Sequence, residues 1–228
     1  MKMNVHKRKQ AGLAVAAAFV LSAFMPTLSV AADVVAGDLL KFSDGPGTTG
    51  GGEFFVDNLS NGSSIDFITF CIEKNESVNM VNTFKVGAVS TGAVNGGVGG
   101  PNPDPISFAT AWLYKEFRAG TLASYAHTDT KANSLQKAIW YLEEEYTTTQ
   151  AVAYAALDAQ AQTWVNDAST NGTSLYGVGV INLQTLGGGD AQDQLTMIPE
   201  PETYAMLLAG LGLMGFVARR RQRKLVAA

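Results

Sequence analysis

The chain has 228 residues, 20 acidic and 16 basic, with a net charge of −4 at pH 7. Nine of the basic residues lie at the two ends, so residues 33–197 carry seven basic against 18 acidic side chains, a net −11. That balance excludes nucleic acid as a partner, because affinity for phosphates comes from Lys and Arg, and it suits a soluble exported protein.

Residues 1–32 read as a signal peptide: Lys2, Lys7, Arg8 and Lys9 precede an uncharged run over residues 11–24, and Ser29-Val30-Ala31-Ala32 offers small residues to a signal peptidase. The apolar run falls short of the about 20 residues that a membrane span needs. The exported domain, residues 33–197, then divides into three parts. From residue 34 to about residue 89 the pattern is of strands joined by turns. Residues 53–56, 65–72 and 83–86 are β-prone, and Asn61-Gly62 is a turn signal. Residues 44–52 and 87–105 are Gly- and Pro-rich and read as loops.

The middle part reads as helical. Residues 107–119 end before Gly120, a C′ residue. In residues 130–146, Leu135, Ala138, Ile139 and Leu142 fall at i, i+3, i+4 and i+7, a buried stripe. Residues 151–168 are Ala-rich, with Leu157 and Trp164 seven apart. Strands return over residues 175–183 and 194–198. The expected fold class is α+β, β-strand segments with an inserted helical part of two to three helices, flanked by an N-terminal signal helix and a C-terminal membrane helix.

The end of the chain, residues 198–228, has three pieces in order. Pro199-Glu200-Pro201 is held extended by its prolines, an apolar run covers residues 204–218, and Arg219-Arg220-Arg221 begins a basic stop that should stay cytoplasmic. This tripartite tail resembles the PEP-CTERM sorting signal of Gram-negative bacteria. The resemblance covers the last thirty or so residues and implies an exosortase, a membrane cysteine protease, as processing partner after the signal peptidase. It implies transient anchoring in the inner membrane, then a place on the cell surface or in the extracellular matrix, in company with exopolysaccharide and biofilm.

Cys71 is the single cysteine, and an odd cysteine in an exported chain needs an account. Its apolar neighbours fit a buried, inert thiol. Two segments offer another account: Phe70-Cys71-Ile72-Glu73 at the end of an expected strand, and Leu135-Gln136-Lys137-Ala138-Ile139-Trp140 near the start of the second helix. Together they resemble the signatures of bacterial thioester domains, adhesin modules of mostly Gram-positive surfaces. The resemblance implies that Cys71 supplies the sulfur and Gln136 the acyl carbon of an internal thioester open to a surface amine or hydroxyl, with Phe70 and Trp140 as shields. It departs from the pattern at Leu135, where Thr is usual. In the alternative reading Gln136 is a solvated helix residue and Cys71 is filler.

The remaining candidates are weaker. The two histidines, His6 and His127, exclude a His-rich metal site and leave His127 alone for a Ser-His-Asp triad that no Ser motif supports. No enzyme activity, cofactor or metal is therefore expected. Glu143-Glu144-Glu145 reads as a solvated face. Asp57, Asn58 and Asn61 lack the ligand spacing of a calcium loop.

Overall fold

The computed structural model describes residues 34–48, 51–62, 66–94, 97–98, 100–198 and 208–214. The expected signal helix, Pro199-Glu200-Pro201 and Arg219-Arg220-Arg221 lie outside the described residues.

Strand β1 (Leu39–Thr48) pairs antiparallel with β2 (Gly51–Asn58), from Leu40 opposite Asn58 to Thr48 opposite Gly51, with a bulge between Asp44 and Gly47. Residues 44–48 and 51–52, expected as loop, are therefore strand. Their glycines are what allow the pairing, because a Cβ on Gly47 would stand 2.7 Å from the Gly52 Cα. β3 (Phe67–Thr69) adds to β2, and β4 (Thr83–Ser90) adds to the other edge of β1. The second expected loop shortens too. β4 runs on to Ser90, and β5 (Gly92–Ala93) pairs with β6 (Asp104–Pro105).

The helical insertion follows, and it holds four helices where two to three were expected. They are α1 (Phe108–Arg118), α2 (Asp129–Leu142), α3 (Gln150–Ala155) and α4 (Ala159–Asn171). Ser107 caps α1 through its hydroxyl, and Gly120 turns the chain out at φ +68°. The Ala-rich stretch splits because Asp158 accepts from the Ala161 N–H and starts a new helix there. Leu157 therefore lies before the helix that carries Trp164, not on one face with it.

β7 (Val178–Thr185) and β8 (Asp190–Met197) complete a sheet of order β3-β2-β1-β4-β7-β8, all antiparallel. The sheet also closes on itself. Beyond β3, Cys71 bridges Gln194, Leu195 N–H donates to Phe70 O at 3.1 Å, and Ile72 N–H donates to Asp193 O at 3.2 Å. The result is a small barrel with no free edge along this seam. Leu40, Phe42, Val56, Phe67, Phe84, Val86, Ile181, Leu183 and Ala191, from all six strands, form one buried cluster inside it. A second core joins Phe70, Ile72, Val178, Val180, Leu195 and Met197 to the helices, with Trp164 and Tyr114 fully buried at its centre. The α+β class is thus realised as a barrel with a helical lobe packed on one side.

Candidate functional site

Helix α2 lies across the β1–β2 hairpin and presents one face to it, set by the three- and four-residue spacing of a helix surface. Asp129 Oδ1 accepts from Gly47 N–H at 2.9 Å, and Asn133 Oδ1 accepts from Thr48 N–H at 3.0 Å. One turn further Gln136 reaches the barrel seam, and Trp140 follows it. Gly51 lets the helix sit this close: a Cβ there would stand 2.4 Å from Gln136 Cγ and 2.7 Å from the Trp140 ring, at a φ of +146°.

Cys71 and Gln136 meet at the seam. Cys71 Sγ lies 3.2 Å from Gln136 Oε1, the Cys71 N–H donates to the same oxygen at 3.2 Å, and Gln136 Nε2 donates to Cys71 O at 2.8 Å. Cys71 is 2% exposed and Gln136 1%. Gln136 is therefore not a solvated helix residue. The two backbone bonds fix which way its amide faces, carbonyl oxygen toward sulfur and nitrogen away. A backbone N–H aimed at the carbonyl oxygen is also the donor that would stabilise negative charge arising there under attack.

Burial pushes the Cys71 thiol far above its ordinary range, and the negative charges of Glu73 and Glu145 add to this. Its own backbone N–H and the Trp140 indole act the other way. That indole N–H is buried and makes no hydrogen bond of normal geometry, so its effect on the sulfur is that of a nearby dipole. Trp140 lines a cavity of about 200 Å³ that also touches Cys71, Gly51, Phe54 and Glu76. Phe70 faces elsewhere: it is fully buried, with its ring edge-on to Phe117 at 5.1 Å in the helical core.

Around the seam lies a set of buried acids that sequence reasoning missed. Glu73 Oε2 accepts from Asp193 N–H at 2.9 Å, while Asp193 accepts from Val94 N–H and Asn182 Nδ2, both at 2.7 Å. Burial and the Asp193 charge lift Glu73 to about 8; burial lifts Asp193 to about 6 against its hydrogen bonds. In the carboxylate run after α2 only Glu144 is exposed, so the run is not a solvated face as a whole. Glu143 accepts from Ser107, and Glu145, 2% exposed, accepts from Lys74 N–H at 3.1 Å and Val98 N–H at 3.3 Å. Those carboxylates staple loops, a role the charge run alone does not disclose.

His127 has its own partner. Its Nδ1 stands 2.8 Å and 3.0 Å from the two oxygens of Glu53, a buried carboxylate that also accepts from Tyr125 OH. Among the described residues, no group of three or more His, Cys, Asp or Glu is placed to hold a metal ion.

At the tail, residues 208–214 are helical and exposed. Among the described residues, no helix is long and apolar enough to cross a membrane, so the expected C-terminal membrane helix is not shown. No curated protein and no solved structure matches the chain. The family model described as the PEP-CTERM protein-sorting motif matches residues 198–222, the stretch that begins at Ile198 and takes in Pro199-Glu200-Pro201. The chain is therefore an exported protein that carries a PEP-CTERM sorting signal, is handled by an exosortase-like enzyme, and passes through a membrane-anchored stage before processing.

Proposed function

We propose that the protein is a covalent adhesin of a Gram-negative cell surface or matrix, working through a thioester between Cys71 and Gln136. The observation that carries this is the buried contact of Cys71 Sγ with the Gln136 amide, in which the Cys71 N–H already holds the carbonyl oxygen. In the forming step Sγ attacks Gln136 Cδ, the C–N bond breaks, and the thiol proton departs with nitrogen as ammonia. In the second step an amine or hydroxyl of the target displaces the sulfur, which leaves as the Cys71 thiol, and the target keeps an amide or ester bond to Gln136. The exopolysaccharide that accompanies exosortase substrates is one source of such groups.

A structural reading has its own support. The three contacts are ordinary hydrogen bonds, and burial holds Cys71 as a neutral thiol. In that case the pair only ties α2 to the barrel, and the protein is an inert matrix component.

Alkylation does not separate these readings, because a thiol 2% exposed resists it in either case. Intact mass does. The adhesin reading expects full-length protein recovered after export to be lighter than its processed sequence by one ammonia, and to gain one methylamine on incubation with that amine. A full sequence mass with no adduct overturns it and leaves the structural tie.

A further inference from the structure

The cavity beside Cys71 has an uneven wall. Phe54, Met80 and Trp140 make it apolar, and Glu76 supplies its carboxylate. Glu76 Oε2 is buried and has no hydrogen-bond partner, an arrangement that costs free energy unless a donor arrives. Lys74 also lies on this wall, and its ammonium stands 4.4 Å from the centre of the Tyr146 ring. A largely apolar cavity with an unpaired carboxyl oxygen among its lining residues, beside Cys71, suits a group with a methylene or ring stem and a charged nitrogen. A hydroxyl would gain little from the charge.

Resting on the thioester reading above, we propose that Glu76 is the residue that selects and prepares the incoming nucleophile: it binds a primary ammonium in the cavity and takes its proton. The ammonium gives one N–H proton to the Glu76 carboxylate and becomes a neutral amine. Its nitrogen then attacks Gln136 Cδ and the C–S bond breaks. The second proton passes from nitrogen to sulfur as the amide forms, and Glu76 returns its proton to solvent. Burial and the negative charges of Asp190 and Glu145 raise Glu76 above the usual carboxylate range, which makes it a better proton acceptor. The face of the Trp140 ring offers a cation further attraction.

The test compares full-length wild-type protein with Glu76→Gln, first by mass and then by rate of adduct formation. Ammonia loss in both shows that the thioester forms without Glu76. Methylamine, the side chain of Nα-acetyl-lysine and the amino group of glucosamine are ammonium ions near neutral pH, whereas hydroxylamine is largely neutral and serves as the control. The last two amines distinguish a protein from a sugar as the source. Glu76→Gln should slow whichever amines the wild type accepts by roughly tenfold or more and leave hydroxylamine unchanged, as expected for loss of a positioned charge and base. Equal slowing of both nucleophile classes, or of neither, overturns the role of Glu76 while the thioester stands. No ammonia loss in the wild type overturns the thioester reading and this inference with it.

Discussion

At the scale of single residues, the site depends on one position without a side chain. Gly51 gives Gln136 and Trp140 the room to reach the seam. Gly51→Ala should lower stability by about 1–3 kcal/mol, the usual cost of overpacking, with extra strain from its positive φ. Urea unfolding would read the loss, and intact mass should show a smaller ammonia-light fraction. Tyr125→Phe removes a donor from the buried Glu53 carboxylate, and an unsatisfied buried acceptor costs about 1–3 kcal/mol. An unchanged unfolding midpoint would mean that His127 alone satisfies Glu53. Cys71 and Gln136 are legible as a pair because each sits in a short, distinctive run. Gly51, Glu73, Asp193 and Glu145 are not. A carboxylate between strands or after a helix reads as solvated until the elements that cover it are known, and those elements lie as far away as β8.

At the scale of elements, capping decides where helices break. Asp158 accepts from Ala161 N–H at 3.0 Å and from the Ser134 hydroxyl at 2.9 Å, so it starts α4 and ties it to α2. Asp158→Ala should cost about 1 kcal/mol, the usual worth of an N-cap, read as a lower thermal midpoint. Asp158→Asn, which can still cap, should recover most of it. Helix α2 can be read from its periodicity, since an apolar stripe at three- and four-residue spacing fits one face of a helix and neither face of a strand, and α1 from the Gly120 that ends it. The division of the third helix is hidden because alanines are good helix formers on either side of Asp158. The glycines of the bulged hairpin look like a loop in the sequence, which hides the far half of β1. Within the β-prone run, Phe67–Thr69 pairs with β2 and the next residues, Phe70 to Ile72, bond to β8, a change of neighbour that composition alone does not reveal.

At the scale of the whole molecule, the buried acids set the pH dependence. Glu73, held at about 8, and Asp193, at about 6, keep protons in the folded state that the unfolded chain gives up near ordinary carboxylate values. The folded protein therefore binds more protons, and its stability falls as pH rises through about 6 and then about 8. Glu143 and Glu145 are raised as well and act in the same direction, while Asp158 and Glu116 are lowered and act the opposite way at acid pH. The unfolding free energy from urea titrations should drop between about pH 5 and pH 8.5 by an amount on the order of 1 kcal/mol or more, and Glu73→Gln should flatten that slope. Stability that rises over this range would contradict the burial of the pair. Closure of the barrel belongs to this scale too. It depends on Phe70 and Ile72 finding Leu195 and Asp193 in the last strand, far along the chain, and no local pattern announces it.

The seam also decides how the domain would bear tension. β8 is the last strand before the sorting tail, and it is bonded on one side to β7 and on the other to the segment around Cys71. A pull applied along β8 would shear both rows of hydrogen bonds at once. The Cys71–Gln136 contact lies beside that strand, so a load applied through the tail would reach the candidate reactive centre by the same path.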